Sequence, residues 1–151
     1  MSLFHIDAGR EWRGGQRQAF FLGRYLHQKG FPLLFVVLPE SPLHEKALEA
    51  GLPVFTLKMR NELDPIAIGR LAVAMNRRRC RLVHFHDAHG LGVGSIAASL
   101  AKVPLRVISR RVDFPLQRNF LSRRKYRRGI DIIIAISEGV KEVLVKGGID
   151  P

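Results

Sequence analysis

The sequence has 151 residues, 46% of them apolar, which is enough for one globular unit with its own core. Twenty-five Lys and Arg against thirteen Asp and Glu give a net charge of +12, a persistent attraction to polyanions that admits nucleic acid or an anionic membrane surface as partners. Cys80 stands alone, excluding an internal disulfide and a multi-cysteine metal site, and the longest apolar run, residues 31–38, has about a third of the length that crosses a bilayer.

Along the chain, short runs rich in Val, Ile and Phe alternate with longer segments of helical period, the pattern of repeated βα units around a parallel sheet. The first strand is expected over Ser2–Asp7 and the first helix over Gly15–Gln28, with Gly30 closing it. A second strand at Pro32–Leu38 leads into a helix over Pro42–Ala50. There Ser41 serves as N-cap, Pro42 stands where a missing amide hydrogen costs nothing, and Gly51 ends the helix. Strand three is expected at Pro53–Leu57. Asp64 and Pro65 repeat the cap and proline pattern before a helix over Pro65–Arg78.

Strand four at Leu82–Phe85 precedes a helix over Gly90–Ala101, where Val93, Ile96, Ala97 and Leu100 recur at i, i+3, i+4, i+7 and should lay one apolar stripe on the sheet. Strand five at Leu105–Ser109 is followed by a helix over Pro115–Arg127, strand six at Asp131–Ile136 and a last helix over Glu138–Lys146 with its stripe on Val140, Val143 and Leu144. No internal repeat, low-complexity tract or linker divides the sequence.

In an open parallel sheet ligands bind beyond the carboxyl ends of the strands, where helix N-termini and loop amides converge. The unusual residues gather at those ends. After strand one come Trp12, Gly14, Gly15 and Arg17; after strand four His84, His86, Asp87 and His89; after strand five Ser109, Arg110, Arg111 and Asp113; after strand six Ser137 and Glu138. Gly14 and Gly15 open the first helix with bare amides that a phosphate or sugar can approach, or simply form a tight turn. Trp12 can stack on a sugar ring or cover the edge of the core. A dinucleotide fingerprint is absent, since neither the G-x-G-x-x-G spacing nor an acidic end to strand two is present. His84 and His86, at i and i+2, share one face of their strand, but a ligand-contacting or packed role is expected in place of a metal site.

Basic residues cluster too: nine of them and one acid, Asp113, lie between Arg106 and Arg128. Arg118, Arg123, Arg124, Lys125, Arg127 and Arg128, interleaved with Phe114, Leu116, Phe120 and Leu121, suit an interfacial element on anionic lipid as well as a solvated face.

Four pieces, in this order and spacing, resemble the N-terminal domain of family 4 glycosyltransferases. They are Gly14-Gly15-x-Arg17, the strand Leu82-Val83-His84-Phe85-His86, Val103-Pro104-Leu105, and the run from Asp131 through Ile136 to Ser137-Glu138. The resemblance covers essentially the whole chain. It implies a Rossmann-like three-layer α/β sandwich with a mainly parallel sheet of about six strands, the N-terminal, acceptor-side half of a GT-B fold over residues 1–151. The donor-binding C-terminal half would be supplied outside this chain. The activity implied is retaining transfer of a sugar from a nucleotide donor to an acceptor, with no metal or other cofactor required. By position, Gly14 and Gly15 would lie against the donor, His86 would be a cleft histidine, and Ser137 and Glu138 would face the cleft.

Relatives commonly carry Thr-x-His at the end of strand five, where this chain has Ser109-Arg110-Arg111. Arginine there can clamp a phosphate or carboxylate through paired donors, which points to an anionic lipid-linked or envelope saccharide as acceptor. His86, Arg111 and Asp113 are therefore the expected reaction-centre residues. Trp12, Gly14, Gly15, Arg17, Asp87, His89, Ser109, Arg110, Ser137 and Glu138 are the expected substrate contacts. With no charged leader before Leu3, Phe4 and Ile6, a cytoplasmic location is expected, with peripheral attachment at the inner face of the membrane. Two other readings of the chain are a basic nucleic-acid-binding α/β module, for which no helix-turn-helix, finger or RNA-binding signature is present, and a GT-B-like sugar-nucleotide epimerase.

Overall fold

The computed structural model describes residues 2–111 and 129–149. Asp113, the expected helix over Pro115–Arg127 and its basic and apolar residues lie outside them. Six parallel strands, β1 (Ser2–Asp7), β2 (Leu33–Val37), β3 (Val54–Thr56), β4 (Cys80–Phe85), β5 (Leu105–Arg110) and β6 (Ile132–Ala135), form one sheet in the order β3-β2-β1-β4-β5-β6. Five described helices, α1 (Gly14–Gln28), α2 (Pro42–Glu49), α3 (Pro65–Arg77), α4 (Ala88–Leu100) and α5 (Glu138–Lys146), cover its two faces. The order of strands reverses between β1 and β4, and a crevice opens at that point in doubly wound sheets.

The two faces differ in chemistry. Toward α3, α4 and α5 the sheet presents Phe4, Ile6, Leu34, Val36, Val83, Phe85 and Ile108, all apolar and buried. Toward α1 and α2, Leu33, Phe35 and Val37 of β2 pack on Phe20, Leu43 and Ala47. On that same side β1 and β4 carry polar residues instead: His5 stacks on Phe35 at a centroid distance of 5.2 Å and lies 5.6 Å from His84, its register partner.

Local signals in the sequence explain most of the boundaries. Ser41 Oγ accepts the His44 amide at 3.3 Å and Asp64 accepts those of Ile66 and Ala67, so both cap and proline starts form as expected. Gly30 and Gly51 take φ of +80° and +67°, the left-handed closure that glycine adopts without cost. Helix α4 departs from its expectation. It begins at Ala88, because Asp87 caps it through the amides of His89 and Gly90, and it is buried on most of its circumference while Leu100, placed on the expected apolar stripe, is 63% exposed. The helix achieves that burial with small residues: a Cβ at Gly94 would meet the Phe85 ring and Ile6, the latter at 3.1 Å. Gly94→Ala is accordingly expected to destabilise the fold by about 1–3 kcal/mol through overpacking, measured as a lower midpoint in chemical denaturation.

Candidate active site at the strand-order reversal

Beyond β1 and β4 the chain builds a polar cluster from four segments. Asp7 ends β1 with its carboxyl turned to the glycine loop: Oδ1 accepts the Gly9 amide at 2.7 Å, and Gln16 Nε2 donates to both oxygens at 3.1 and 3.2 Å. Burial, followed by the charge of Asp87, pushes the Asp7 carboxyl up to about 6 despite those hydrogen bonds and the nearby Arg111. A Cβ at Gly9 would collide with the Gln16 amide and come within 2.7 Å of Asp7, so a larger residue there would displace the Gln16 side chain from the carboxyl. Asp87 spends both oxygens on backbone, accepting from Ala8 at 2.8 Å and from His89 and Gly90 at 3.0 and 3.1 Å, and so ties the β1 end to the start of α4.

Arg111, the first residue after β5, reaches across to α1. Its Nε donates to Gln18 Oε1 at 2.8 Å, Nη1 to the His86 carbonyl at 2.9 Å and Nη2 to His86 Nδ1 at 3.0 Å. A guanidinium has five N–H groups, so among the described residues these three bonds leave one hydrogen on each terminal nitrogen. The guanidinium rests beside Gly15, whose virtual Cβ would lie 3.6 Å from Arg111 Cδ and 3.7 Å from Nη1, while nothing stands within 4 Å of a Cβ at Gly14. Arg111 thus stands beside the half-buried Gly15 at the positive N-terminus of α1, next to the exposed Gly14.

Beneath Arg111 the polar face continues inward. His86 is 5% exposed and His5 1%, and His86 Nε2 lies 2.9 Å from His5 Nδ1. His84 Nε2 is 2.8 Å from Ser109 Oγ. Burial holds all three rings neutral, lowering His5 to about 3 and His84 to about 4 and placing His86 well below the usual histidine range. Among the described residues, His5, His84 and His86 are also the one group whose nitrogens, within 4.8 Å of each other, could hold a metal ion. Two of those nitrogens already face one another at hydrogen-bond distance and a guanidinium sits beside them, so the observed arrangement is that of a hydrogen-bonded chain.

The sequence candidates divide accordingly. Gly14, Gly15, His86, Asp87 and Arg111 meet at the reversal point, with Ser109 just below through His84. Arg110 does not join them: consecutive strand residues point to opposite faces, and Arg110 is buried on the other one. Arg17 lies over the Phe21 ring at 5.6 Å on the outer side of α1, and Trp12 packs edge-on against Phe20 at 5.9 Å with Lys46 above it. Together they line an open groove of about 630 Å³ between α1 and α2. His89 turns away to donate to the Met59 carbonyl at 3.2 Å, and Ser137 caps α5, where Glu138 pairs with Lys141 at 3.7 Å, two strands from β4. His5, Asp7, Gln16 and Gln18 belong to the cluster but carry no recognisable motif. The available signal was in β1, where His5 and Asp7 at i and i+2 put two polar residues on one face of an otherwise apolar strand.

The fold and this rim can be set beside known proteins. Solved structures of similar fold include Anabaena Alr3699/HepE in complex with UDP (TM-score 0.81, 13% identity, 99% of this chain and 42% of that one) and a glycosyltransferase from Rickettsia africae ESF-5 (0.82, 13%, 99% and 40%). MurG of Acinetobacter baumannii is similar at a TM-score of 0.68 and 14% identity, over 89% of this chain and 40% of its own. The chain therefore spans about two fifths of the length of HepE and the Rickettsia enzyme. Comparison with curated protein sequences gives no significant match. The family model described as Glycosyltransferase Family 4 matches residues 12–151, and the chain belongs to that family.

Proposed function

We propose that this domain is the acceptor-side half of a two-domain enzyme that transfers a sugar, with retention and without a metal, from a nucleotide-sugar donor to an anionic acceptor. The observation that carries the reading is Arg111, pinned by Gln18 and His86 beside Gly15 at the N-terminus of α1. Sugar transfer from a nucleotide donor breaks the bond between the sugar carbon and the diphosphate oxygen while a bond to the acceptor oxygen forms. Negative charge grows on the departing diphosphate, and prearranged donors in a dry crevice are the groups that stabilise such charge. The α1 N-terminus supplies amides for the donor side, and the two remaining Arg111 hydrogens suit a phosphate or carboxylate of the acceptor.

A lipid-linked or envelope saccharide is the acceptor class proposed. HepE was solved with UDP, which supports a uridine nucleotide as the first donor to try. No described helix is long and apolar enough to cross a membrane. Attachment to the inner face of the membrane is proposed on the net charge of +12.

The test uses the glycine pair. A methyl group at Gly14 meets nothing and at Gly15 meets only ordinary contacts, and alanine has the higher helix propensity. Gly14→Ala and Gly15→Ala in the full-length protein should keep or raise the melting temperature while lowering transfer from UDP-sugars by about tenfold or more. Normal turnover in both variants would mean that no ligand approaches this loop. Product stereochemistry by NMR, and turnover in the presence of EDTA, would check retention and metal independence.

A further inference from the structure

We propose that His5 and His86 form a buried tautomer lock that positions Arg111, with His5 Nδ1 as the acceptor on which the lock depends. The inference rests on the reading of Arg111 as the anion-binding group and extends it to the buried rings beneath it. A guanidinium can only donate, so the His86 Nδ1 that faces Arg111 Nη2 at 3.0 Å offers a lone pair. A neutral His86 then carries its hydrogen on Nε2. That hydrogen points at His5 Nδ1, 2.9 Å away, which must accept in turn, and His5 keeps its own hydrogen on Nε2. The opposite assignment sets an N–H of His86 against the donors of Arg111 and loses the contact.

The chain ends at a cost. Among the described residues His5 Nε2 is buried without a hydrogen-bond partner, an unfavourable state for a polar N–H. Packing does not explain the choice of residue. The neighbours of His5 in β1, Phe4 and Ile6, are fully buried apolar residues, and a leucine at position 5 would pack on Phe35 and remove the orphaned His5 Nε2–H, but it would leave the His86 Nε2–H without its acceptor. What histidine offers there is an acceptor for His86, which fixes the ring and, through it, the bond from Arg111 Nη2 to His86 Nδ1.

The test has a spectroscopic arm and a binding arm, both on the full-length protein. Long-range proton–nitrogen spectra of histidine-labelled protein at neutral pH should show both His86 and His5 with the hydrogen on Nε2. The variants His5→Asn and His5→Leu then separate the roles, since Asn restores a carbonyl acceptor near Nδ1 and Leu fills the space without one. With inorganic pyrophosphate as probe, the dissociation constant should rise about tenfold or more in His5→Leu and stay within about threefold of wild type in His5→Asn, whichever variant is the more heat-stable. A purely packing role predicts the reverse order.

A hydrogen on His86 Nδ1, equal binding by the Leu variant and wild type, or stoichiometric zinc uptake by the three rings would each overturn the lock. Should wild type bind no pyrophosphate while the tautomers are as assigned, the anion-site reading fails by itself. The lock is then judged by the Arg111 Nε–H signal, expected to be sharp in His5→Asn and exchange-broadened in His5→Leu.

Discussion

Arg111→Ala is expected to lower kcat/KM for sugar transfer by the full-length enzyme about 100-fold, because two charge-assisted hydrogen bonds at the low end of their range amount to about 3 kcal/mol. Three bonds inside the protein are lost as well, to Gln18, the His86 carbonyl and His86 Nδ1, so some fall in melting temperature accompanies the change. A control therefore has to separate folding from function. Arg111→Lys keeps the charge but concentrates it on one nitrogen at the end of a flexible stem, which cannot bridge Gln18 and both atoms of His86 at once. Lysine should restore the melting temperature better than it restores transfer. If Arg111 binds an anionic acceptor, most of the loss falls in KM for an acidic acceptor and less for a neutral analogue. Unchanged turnover in Arg111→Ala removes Arg111 from the site.

Much of this molecule was legible in its sequence, and the physical reasons for success and failure are specific. The βα alternation, the Ser41-Pro42 and Asp64-Pro65 starts, and the closures at Gly30 and Gly51 are local events, dictated by neighbouring residues, and the structure forms them as expected. Helix α4 was harder because its burial is not a stripe. Gly90, Gly92 and Gly94 let it sink between the sheet and α3, and a pattern of period 3.6 assigns Leu100 to a core that the helix end has already left.

At the site, the gathering of Gly15, His86 and Arg111 followed from one rule, that the strand ends of a parallel sheet converge. The pairing of Arg110 with Arg111 did not follow, since the strand's alternation sends them to opposite faces. Gln16 and Gln18 carry no motif, and their role depends on where α1 lies over β1 and β5. His5 and Asp7 were readable in principle: polar side chains at alternate positions of a strand otherwise fit for the core must find partners inside it.

The same buried rings make the fold sensitive to acid. His5, His84 and His86 have depressed native values, about 3 and about 4 for the first two, whereas the unfolded chain protonates histidine near 6.5. Below that value the unfolded state binds more protons, so stability falls with falling pH. Asp7 acts in the opposite sense. Its native carboxyl holds a proton up to about 6 against 3.8 in the unfolded chain, so this group alone favours the native state as the pH is lowered through that interval. Three protons taken up by the unfolded chain less one held by the native chain leave a net of two between pH 4 and 6, a slope on the order of 3 kcal/mol per pH unit.

Over those two units the loss is on the order of 6 kcal/mol, comparable with the lower end of a typical total of about 5–15 kcal/mol. Denaturation midpoints measured across the interval should fall steeply, and His5→Leu, by removing one of the three protons, should roughly halve the slope. Asp7→Asn should steepen it, since the opposing carboxyl is gone. A flat profile in wild type would mean that the rings accept protons in the folded state, and with them the hydrogen-bonded chain under Arg111 could not exist as described.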